Sequence, residues 1–409
     1  MELFIKKLEK EFGNKFIIDD RTITEFSTSP YLVSPVLSKM GSRVLGVVSA
    51  SDEQDVINTV KFCDENRIPL LARGAGTSTI GQVLPITPSI ALDMRKLKGE
   101  MEYDKSLRIS PGVKVLDALA YLRKRGKELQ VYPSSFYIST LGGYIAGGDV
   151  GIGSYQYGYH FHNDGVKSVR VVGPSGTYVL SGIETLAVSQ AAGVTGVITE
   201  AELAVVDLED WKDQLIRFRD IEDVVALLKD LERYRQKIRR ITVEDKDALS
   251  TVARDRVTAG DWNVIISSTQ NFGEEVELRF LDELAFAAIY VTMSKLTKFQ
   301  QYFYEVRLLS LGSFLRVVKQ VKRALGSKVL IHGDVMTLRG ETIVYTVFMS
   351  ERSNFDLIDS IMLKEGIPFE IHSLEVNDRV DEDFRLELMK KYKQKVDPHN
   401  ILNPGKLRL

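Results

Sequence analysis

The first half of the chain alternates between the period of two that favours strands and the helical period of 3.6. Residues 43–49 and 68–72 have the pattern of strands. Between them, Ser51 opens a helix, and Gln54 three residues later completes a capping box. The helix places three apolar residues on one face: Val56, Val60 and Cys63. The same patterns predict a helix over 114–125, ended by Gly126, and strands at 90–94, 107–110, 166–172 and 196–206.

The pattern changes after about residue 206, where glycine becomes sparse and long amphipathic helices begin. Helices are predicted over 221–235, 312–325, 356–364 and 382–395, and strands at 264–267, 328–332, 342–348 and 368–372. This alternation is typical of an antiparallel sheet with helices on one face. The chain is therefore predicted to be an α+β protein with domains at 1–206 and 207–409.

Residues 132–158 are rich in Gly, Ser and Tyr and show neither a helical nor a strand period. A stretch of that length without regular structure is uncommon in a compact domain and is usually functional. This stretch is therefore the first candidate for a binding loop.

A shorter glycine-rich loop follows the strand at 68–72 and reads Arg-Gly-Ala-Gly-Thr-Ser over 73–78, with a further glycine at Gly81. Glycines allow successive backbone N–H groups to surround an anion, and hydroxyl groups add donors. A dinucleotide fingerprint of the Rossmann type requires a helix directly after the loop. Here Pro85 and Pro88 follow, and then a strand, so the loop taken alone is either an ordinary turn or a phosphate-binding loop of another architecture.

The longer stretch contains Pro-Ser-Ser at 133–135 and Ser-Thr-Leu-Gly-Gly-Tyr-Ile-Ala-Gly-Gly at 139–148. Two such loops in one domain fit an extended ligand that carries both a pyrophosphate and a flat ring. With GVTGVITEAEL at 193–203 and DPHNILNPGKL at 397–407, the motifs resemble the FAD-linked oxidases of the vanillyl-alcohol oxidase superfamily. Within it they are most similar to the glycolate oxidase flavin subunit and the FAD-linked D-lactate dehydrogenases.

This resemblance implies a two-part FAD-binding domain of the p-cresol methylhydroxylase (PCMH) type over 1–206. It also implies a substrate, or cap, domain over 207–409, whose tail 397–409 returns to the flavin domain. The implied cofactor residues are Arg73, Gly74, Ala75, Gly76, Thr77, Ser78 and Gly81; Pro133, Ser134, Ser135, Ser139, Thr140, Gly142, Gly143, Ala146, Gly147 and Gly148; Gly196, Val197 and Ile198; and Asn403 and Lys406 near the ring. Some relatives attach FAD through a His or a Cys in these loops. Neither loop contains one, so FAD is expected to bind without a covalent link.

The resemblance implies that FAD accepts a hydride from a small 2-hydroxy acid, a reaction that needs a base and a cation for the carboxylate. His332, in Leu-Ile-His-Gly-Asp, is the first candidate for the base or for a metal ligand, with a satisfied strand-end histidine as the alternative. Arg307 is the candidate carboxylate clamp, with an ordinary surface arginine as the alternative. Many relatives carry a Glu-His pair before the terminal helix. His372 is a further catalytic candidate, because on a strand it would share one face with Glu370 and the two could replace that pair. This set is poor for a metal, and none is expected.

The composition narrows the possible binding partners and the cellular compartment. A net charge of −2 gives no reason to expect nucleic acid, and the single Cys63 favours a reducing compartment, hence the cytoplasm or a peripheral position at a membrane. No stretch is long enough for a transmembrane helix. An electron-acceptor subunit or quinone would take the electrons. The basic run at 233–240 is predicted to be mostly a solvated helix face, with docking of an acidic electron-acceptor subunit as the alternative. Two alternatives stay open: an FAD-carrying subunit with little activity alone, and a sugar or alcohol oxidase.

Overall fold

The structure is a computed structural model. It describes residues 2–28, 42–78, 81–148, 150–253, 257–276, 302–367, 374–378, 380 and 382–409.

The first layer is a four-stranded sheet in the order β1–β2–β4–β3. Its strands are β1 Phe16–Ile17, β2 Val44–Ser49, β3 Leu70–Arg73 and β4 Ser89–Asp93, and the accompanying helices are α1 Glu2–Phe12, α2 Asp20–Ser27 and α3 Glu53–Glu65. Strands β2, β4 and β3 are parallel. The predicted apolar face of α3 is buried, but its N-cap is Asp52, whose carboxylate accepts from the Asp55 amide. The capping box on Ser51 is therefore wrong, because Ser51 instead hydrogen-bonds the Asp55 side chain.

The second layer is an antiparallel sheet in the order β5–β6–β10–β8–β9, with β7 also paired to β10. Its strands are β5 Glu102–Tyr103, β6 Ser106–Ile109, β7 Lys127–Leu129, β8 Val166–Gly173, β9 Gly176–Ser181 and β10 Val197–Asp207. Helix α4 Val115–Arg123 packs beside it, and Gly126 takes a positive φ just after its end.

The glycine-rich stretch at 132–158 contains two short helices, α5 Leu141–Gly147 and α6 Ser154–Tyr157. The expectation of a stretch without regular structure is therefore wrong. Leu141, Tyr144 and Ile145 are buried at helical spacing, but four glycines among the ten residues 139–148 hide this signal in the sequence.

The third layer is a seven-stranded antiparallel sheet in the order β14–β11–β13–β12–β16–β17–β15. Its strands are β11 Lys212–Phe218, β12 Ile238–Asp245, β13 Trp262–Ser268, β14 Glu274–Glu275, β15 Tyr302–Ser310, β16 Val329–Leu338 and β17 Glu341–Glu351. The helices of this half are α7 Ile221–Leu231, α8 Lys246–Ala253, α9 Leu311–Leu325, α10 Phe355–Lys364 and α11 Asp383–Val396. Helices α7, α9 and α10 share one apolar core with the sheet, as predicted. The predicted strand at 368–372 lies outside the described residues.

The end of the chain packs against the first layer. Leu402 pairs with Leu70 of β3 in a parallel bridge, and Ile401 and Leu402 belong to the core of that layer. Among the described residues, no helix is long and apolar enough to cross a membrane.

Candidate functional site

The two glycine-rich loops meet at one cleft. The Thr77 and Ser139 hydroxyl oxygens lie 2.9 Å apart, and Ser139 is 2.6 Å from the hydroxyl of Ser135. A Cβ added to Gly74 would lie 2.1 Å from Thr140 Oγ1 and 3.6 Å from Gly143 Cα. With Thr140 in this rotamer, only glycine fits at position 74.

Most of the predicted cofactor residues line this cleft, which holds about 1360 Å³ of space including its open mouth. From the first loop these are Arg73, Gly74, Ala75, Gly76, Thr77 and Ser78; from the second, Pro133, Ser134, Ser135, Ser139, Thr140, Gly142, Gly143, Ala146, Gly147 and Gly148; and from the start of β10, Gly196, Val197 and Ile198. The cleft brings together three segments that are separated by up to about 120 residues of sequence.

Arg73 is buried, and its guanidinium donates to the carbonyl of Thr28 at 2.9 Å and lies over the ring of Phe26. Burial lowers the pKa of Arg73 to about 10, so the side chain stays charged at neutral pH. A Cβ at Gly76 would lie 2.3 Å from Arg73 Nη2. The cation therefore supports the underside of the first loop.

Gly81, Asn403 and Lys406 do not line the cleft. The Lys406 ammonium is fully buried and donates to the carbonyls of Gly81 at 2.8 Å and Gln82 at 2.7 Å, and Asn403 Nδ2 donates to the carbonyl of Ala192 at 2.7 Å. The tail thus holds the backbone segments behind the cleft, where the resemblance implied contacts near the ring.

Several lining residues were missed by sequence reasoning: Ala72, Gln82, Val83, Met94, Pro111, Tyr144, Val150, Ala192, Gly193, Asp334 and Tyr345. Asp334 and Tyr345 come from the third sheet, where they are paired across β16 and β17. Asp334 lies only two residues after His332, so the same motif carried the signal for it.

His332 lies between two carboxylates and is almost completely buried. Its Nδ1 is 2.7 Å from Glu244 Oε1 and its Nε2 is 3.0 Å from Asp334 Oδ2. Burial alone would lower its pKa, but the negative charges of Glu244 and Asp334 raise it to about 10. Both ring nitrogens therefore donate, and the imidazolium cannot accept a proton at neutral pH. This arrangement gives no support to His332 as the base, a role that stays a prediction.

Asp334 stays ionised in this cluster. Burial acts to raise the pKa of Asp334, but the His332 imidazolium lowers it below its usual value overall. Its Oδ1 also accepts a hydrogen bond from Thr242 at 2.7 Å. Burial raises the pKa of Glu244, so Asp334 is the firmer counter-ion of the imidazolium. The cleft wall therefore carries a fixed negative charge.

The other predicted catalytic residues lie elsewhere. Arg307 is buried outside the cleft, and its Nη2 pairs at 2.7 Å with both Glu305 and Asp359. It is neither a surface arginine nor placed to bind a substrate in the cleft. His372 lies outside the described residues. His160 is buried, within hydrogen-bonding distance of the Ile145 carbonyl, and burial lowers its pKa to about 3.

The basic run at 233–240 is not one solvated helix face. Arg239 and Arg240 are buried on β12, where a bulge interrupts the pairing with β13. Arg239 donates to Tyr132 Oη at 3.0 Å and lies 3.5 Å from Glu128. Contacts with residues distant in sequence thus offset the cost of burying Arg239, and the local charge pattern does not predict this burial.

The lining fits FAD chemically. Glycine backbones and hydroxyl groups suit a pyrophosphate, and Arg73 supplies a buried positive charge. Within the described residues, Thr140 Oγ1 and Gln82 Nε2 are buried and have no hydrogen-bond partner. Buried polar groups are nearly always paired, so both indicate a ligand in the cleft.

Comparisons with known sequences agree with this geometry. Residues 44–182 match the family model of the FAD binding domain. A D-lactate dehydrogenase of Archaeoglobus fulgidus is 24% identical over 93% of this chain and 94% of its own length. A D-lactate dehydrogenase of Anaerostipes hadrus is 27% identical over 53% of this chain, and the glycolate oxidase subunit GlcD of Bacillus subtilis is 25% identical over 44%. The last two matches span only 47% and 41% of those relatives.

Solved structures share the whole architecture. An alkyldihydroxyacetonephosphate synthase superposes with a TM-score of 0.76 at 18% identity, covering 99% of this chain and 85% of that one. For p-cresol methylhydroxylase the TM-score is 0.70 at 15% identity, with 99% and 97% covered. At this identity the likeness establishes the fold alone. The matched FAD-binding domain and the cleft make FAD the cofactor of this chain, which is similar in sequence and fold to FAD-linked oxidoreductases.

Proposed function

We propose that this protein is an FAD-dependent oxidoreductase that converts a small 2-hydroxy acid of the glycolate or lactate type into the 2-oxo acid. The observation that carries the proposal is the position of Asp334 and Tyr345. Both are cap side chains in the wall of the cleft that the two glycine-rich loops line. Relatives named D-lactate dehydrogenase and glycolate oxidase subunit GlcD support the substrate class.

Bound FAD supplies the acceptor for the hydride that leaves the α carbon of the substrate. Asp334 accepts the hydrogen bond of the substrate hydroxyl and takes its proton, so that one hydride and one proton leave the alcohol. Its lowered pKa makes Asp334 a weak base. Its main contribution is therefore to orient the hydroxyl and to offset the positive charge that develops there.

His332 acts on this step through Asp334. Its Nε2 hydrogen bond fixes the Asp334 carboxylate, its Nδ1 hydrogen bond to Glu244 holds the ring in place, and its positive charge reduces the repulsion between Asp334 and Glu244. Tyr345 lies opposite Asp334 on the neighbouring strand. Its hydroxyl is the candidate donor to the substrate oxygen that becomes the carbonyl.

One observation favours a second candidate, a neutral alcohol or sugar. Among the described residues that line the cleft, the only cation is Arg73, whose guanidinium supports the first loop. The described part of the cap adds only the negative Asp334 and the uncharged Tyr345. A substrate without a carboxylate would need no clamp there.

Anaerobic mixing separates these candidates from a subunit that carries FAD with little activity alone. The purified protein is mixed with glycolate, D-lactate, L-lactate, glycerol and a neutral sugar, and bleaching of the flavin absorbance is followed. Reduction by a 2-hydroxy acid supports the first proposal, and reduction only by the neutral compounds supports the second. No reduction by any of them favours the subunit.

The matched variants are Asp334→Asn and Asp359→Asn, the latter a cap carboxylate that pairs with Arg307 outside the cleft. We expect Asp334→Asn to slow flavin reduction by about 100-fold or more, as for loss of a proton acceptor, with FAD still bound. Asp359→Asn should reduce the flavin at the wild-type rate. An Asp334→Asn protein that is equally fast would refute the role of Asp334.

We also propose that FAD is bound without a covalent link and that its electrons pass to an acceptor subunit or a quinone. The absence of His and Cys from residues 73–81 and 133–148 supports the first point. The name of the Bacillus relative, a glycolate oxidase subunit, supports the second. Acid precipitation should leave the yellow colour in the supernatant, and a yellow pellet would contradict the first point.

A further inference from the structure

The carboxy-terminal tail reaches the back of the FAD cleft through a series of buried contacts. The Asn403 amide donates to the carbonyl of Leu70, and its side chain donates to the carbonyl of Ala192. The turn before it is fixed by Asp397, whose carboxylate accepts from the amides of Ile401 and Leu402. These bonds fix the path of the backbone that carries Lys406.

The side chain of Lys406 reaches two backbone carbonyls at the end of the first loop and just after it. Its ammonium donates to Gly81 O at 2.8 Å and to Gln82 O at 2.7 Å, and its side chain has no exposure to solvent. A buried ammonium is costly unless oxygen atoms replace its water, so these contacts hold the loop firmly. The two residues that follow Gly81, Gln82 and Val83, line the cleft, whereas Lys406 lies behind it.

The geometry of the peptide bond links the two sides. No peptide bond in the described chain is cis, and a trans peptide directs its C=O and N–H in opposite directions. Carbonyls 81 and 82 that point to Lys406 therefore turn the N–H groups of Gln82 and Val83 away from it. A cation at the carbonyl end also polarises the peptide, so its N–H becomes a stronger donor.

We propose that Lys406 is a positioning residue for FAD. It orients the peptide groups at 81–83 so that their N–H groups face the phosphates of the cofactor. Lys406 therefore favours the anionic part of FAD without contacting it. FAD binding and docking of the tail stabilise each other, because each is strongest when the turn has this conformation.

The test compares Lys406→Met with Arg408→Met. Methionine keeps the length of the lysine stem and removes the charge, whereas Arg408 is an exposed cation of the same tail that pairs with Glu375 and Asp378. We expect Lys406→Met to raise the Kd for FAD by at least about tenfold, measured by flavin fluorescence, because two charge-assisted hydrogen bonds are lost. Arg408→Met should bind FAD like the wild type.

Two readouts distinguish positioning of the phosphates from a general structural role. Riboflavin has the ring of FAD and no phosphate, so its affinity should change much less than that of FAD. The ³¹P resonances of bound FAD should also move in Lys406→Met. An unchanged Kd for FAD, or equal losses for FAD and riboflavin with unmoved ³¹P resonances, would overturn the proposal.

A wild-type measurement keeps the proposal testable if Lys406→Met does not fold. Hydrogen exchange of the apoprotein and the FAD complex is compared at residues 81–84 and 403–409. We expect FAD to slow exchange in both segments. Protection of residues 81–84 with an unchanged tail would contradict the coupling, although FAD would still bind.

Discussion

Gly74→Ala is the sharpest test of the idea that two backbones must approach each other closely to form the FAD cleft. The added Cβ would lie 2.1 Å from Thr140 Oγ1, whereas an ordinary contact needs at least about 3.4 Å. The deficit is about 1.3 Å. Thr140 is β-branched, so its χ1 is stiff, and one of its two alternative rotamers only replaces Oγ1 by the methyl group. The added Cβ therefore forces either Thr140 out of its rotamer or the first loop away from the second.

The size of the effect follows from the cost of overpacking. Inserting a methyl group into a well-packed site costs about 1–3 kcal/mol. If the displaced loop no longer matches FAD, that energy corresponds to a rise in Kd of about 5- to 150-fold. Gly312→Ala is the matched control, because its Cβ would meet only Arg316 Nη1 at 3.4 Å. The control should bind FAD with the wild-type affinity.

A second substitution tests whether the contact with Thr140 is the cause. Thr140→Ala removes Oγ1, after which the nearest atoms to the new Cβ are the residue-140 Cβ at 3.4 Å and Gly143 Cα at 3.6 Å. Thr140→Ala alone loses one hydrogen-bonding group and should weaken FAD by about 0.5–1.5 kcal/mol. The double variant should bind no more weakly than that. Normal binding by Gly74→Ala, or a double variant weaker than Gly74→Ala, would refute the reasoning.

Three further predictions concern buried charges. The pKa of His332 is about 10 in the fold and 6.5 ordinarily, so its contribution to stability is full below pH 6.5 and is lost as the pH rises through 10. Urea titrations should show this loss in the wild type and not in His332→Gln. The variant should itself be about 3–5 kcal/mol less stable than the wild type at pH 6.5. Burial lowers the pKa of His160 to about 3, so this residue destabilises the fold as the pH falls from 6.5 toward 3. His160→Gln should therefore flatten this part of the curve of unfolding free energy against pH, and an equally steep curve would contradict the reasoning. Arg307→Met should lower the melting temperature and leave the substrate concentration for half-maximal flavin reduction unchanged; a large rise would restore Arg307 as a carboxylate clamp.

The FAD side of the cleft was largely predictable because its chemistry is local. Gly74 and Gly143 belong to short motifs in which the residue type itself reports how closely the backbone can be approached. The contact between the loops joins Thr77 and Ser139, which are 62 residues apart in sequence, but each loop can be identified from its own motif. The short helices α5 and α6 were missed, and in α5 three glycines of low helix propensity mask the apolar signal.

The substrate side was predicted poorly because its chemistry depends on register. His332 was identified from its motif, but its charge is set by Glu244, 88 residues earlier on the neighbouring strand β12. Arg307 was assigned from the affinity of guanidinium for carboxylates, and the carboxylates it binds belong to the protein itself. Lys406 was expected near the ring, and its partners lie 324 and 325 residues away. No local pattern specifies such pairs.

The charge of Asp334 affects how a substrate would lie in the cleft. Because the His332 imidazolium holds Asp334 ionised, the cap wall repels any second carboxylate placed against it. A 2-hydroxy acid would therefore direct its hydroxyl toward Asp334 and its own carboxylate away from that wall. The orientation follows from one fixed charge and needs no clamp in the described part of the cap. A neutral alcohol would feel no such repulsion, so the ratio of the two reduction rates reports directly on the charge of Asp334.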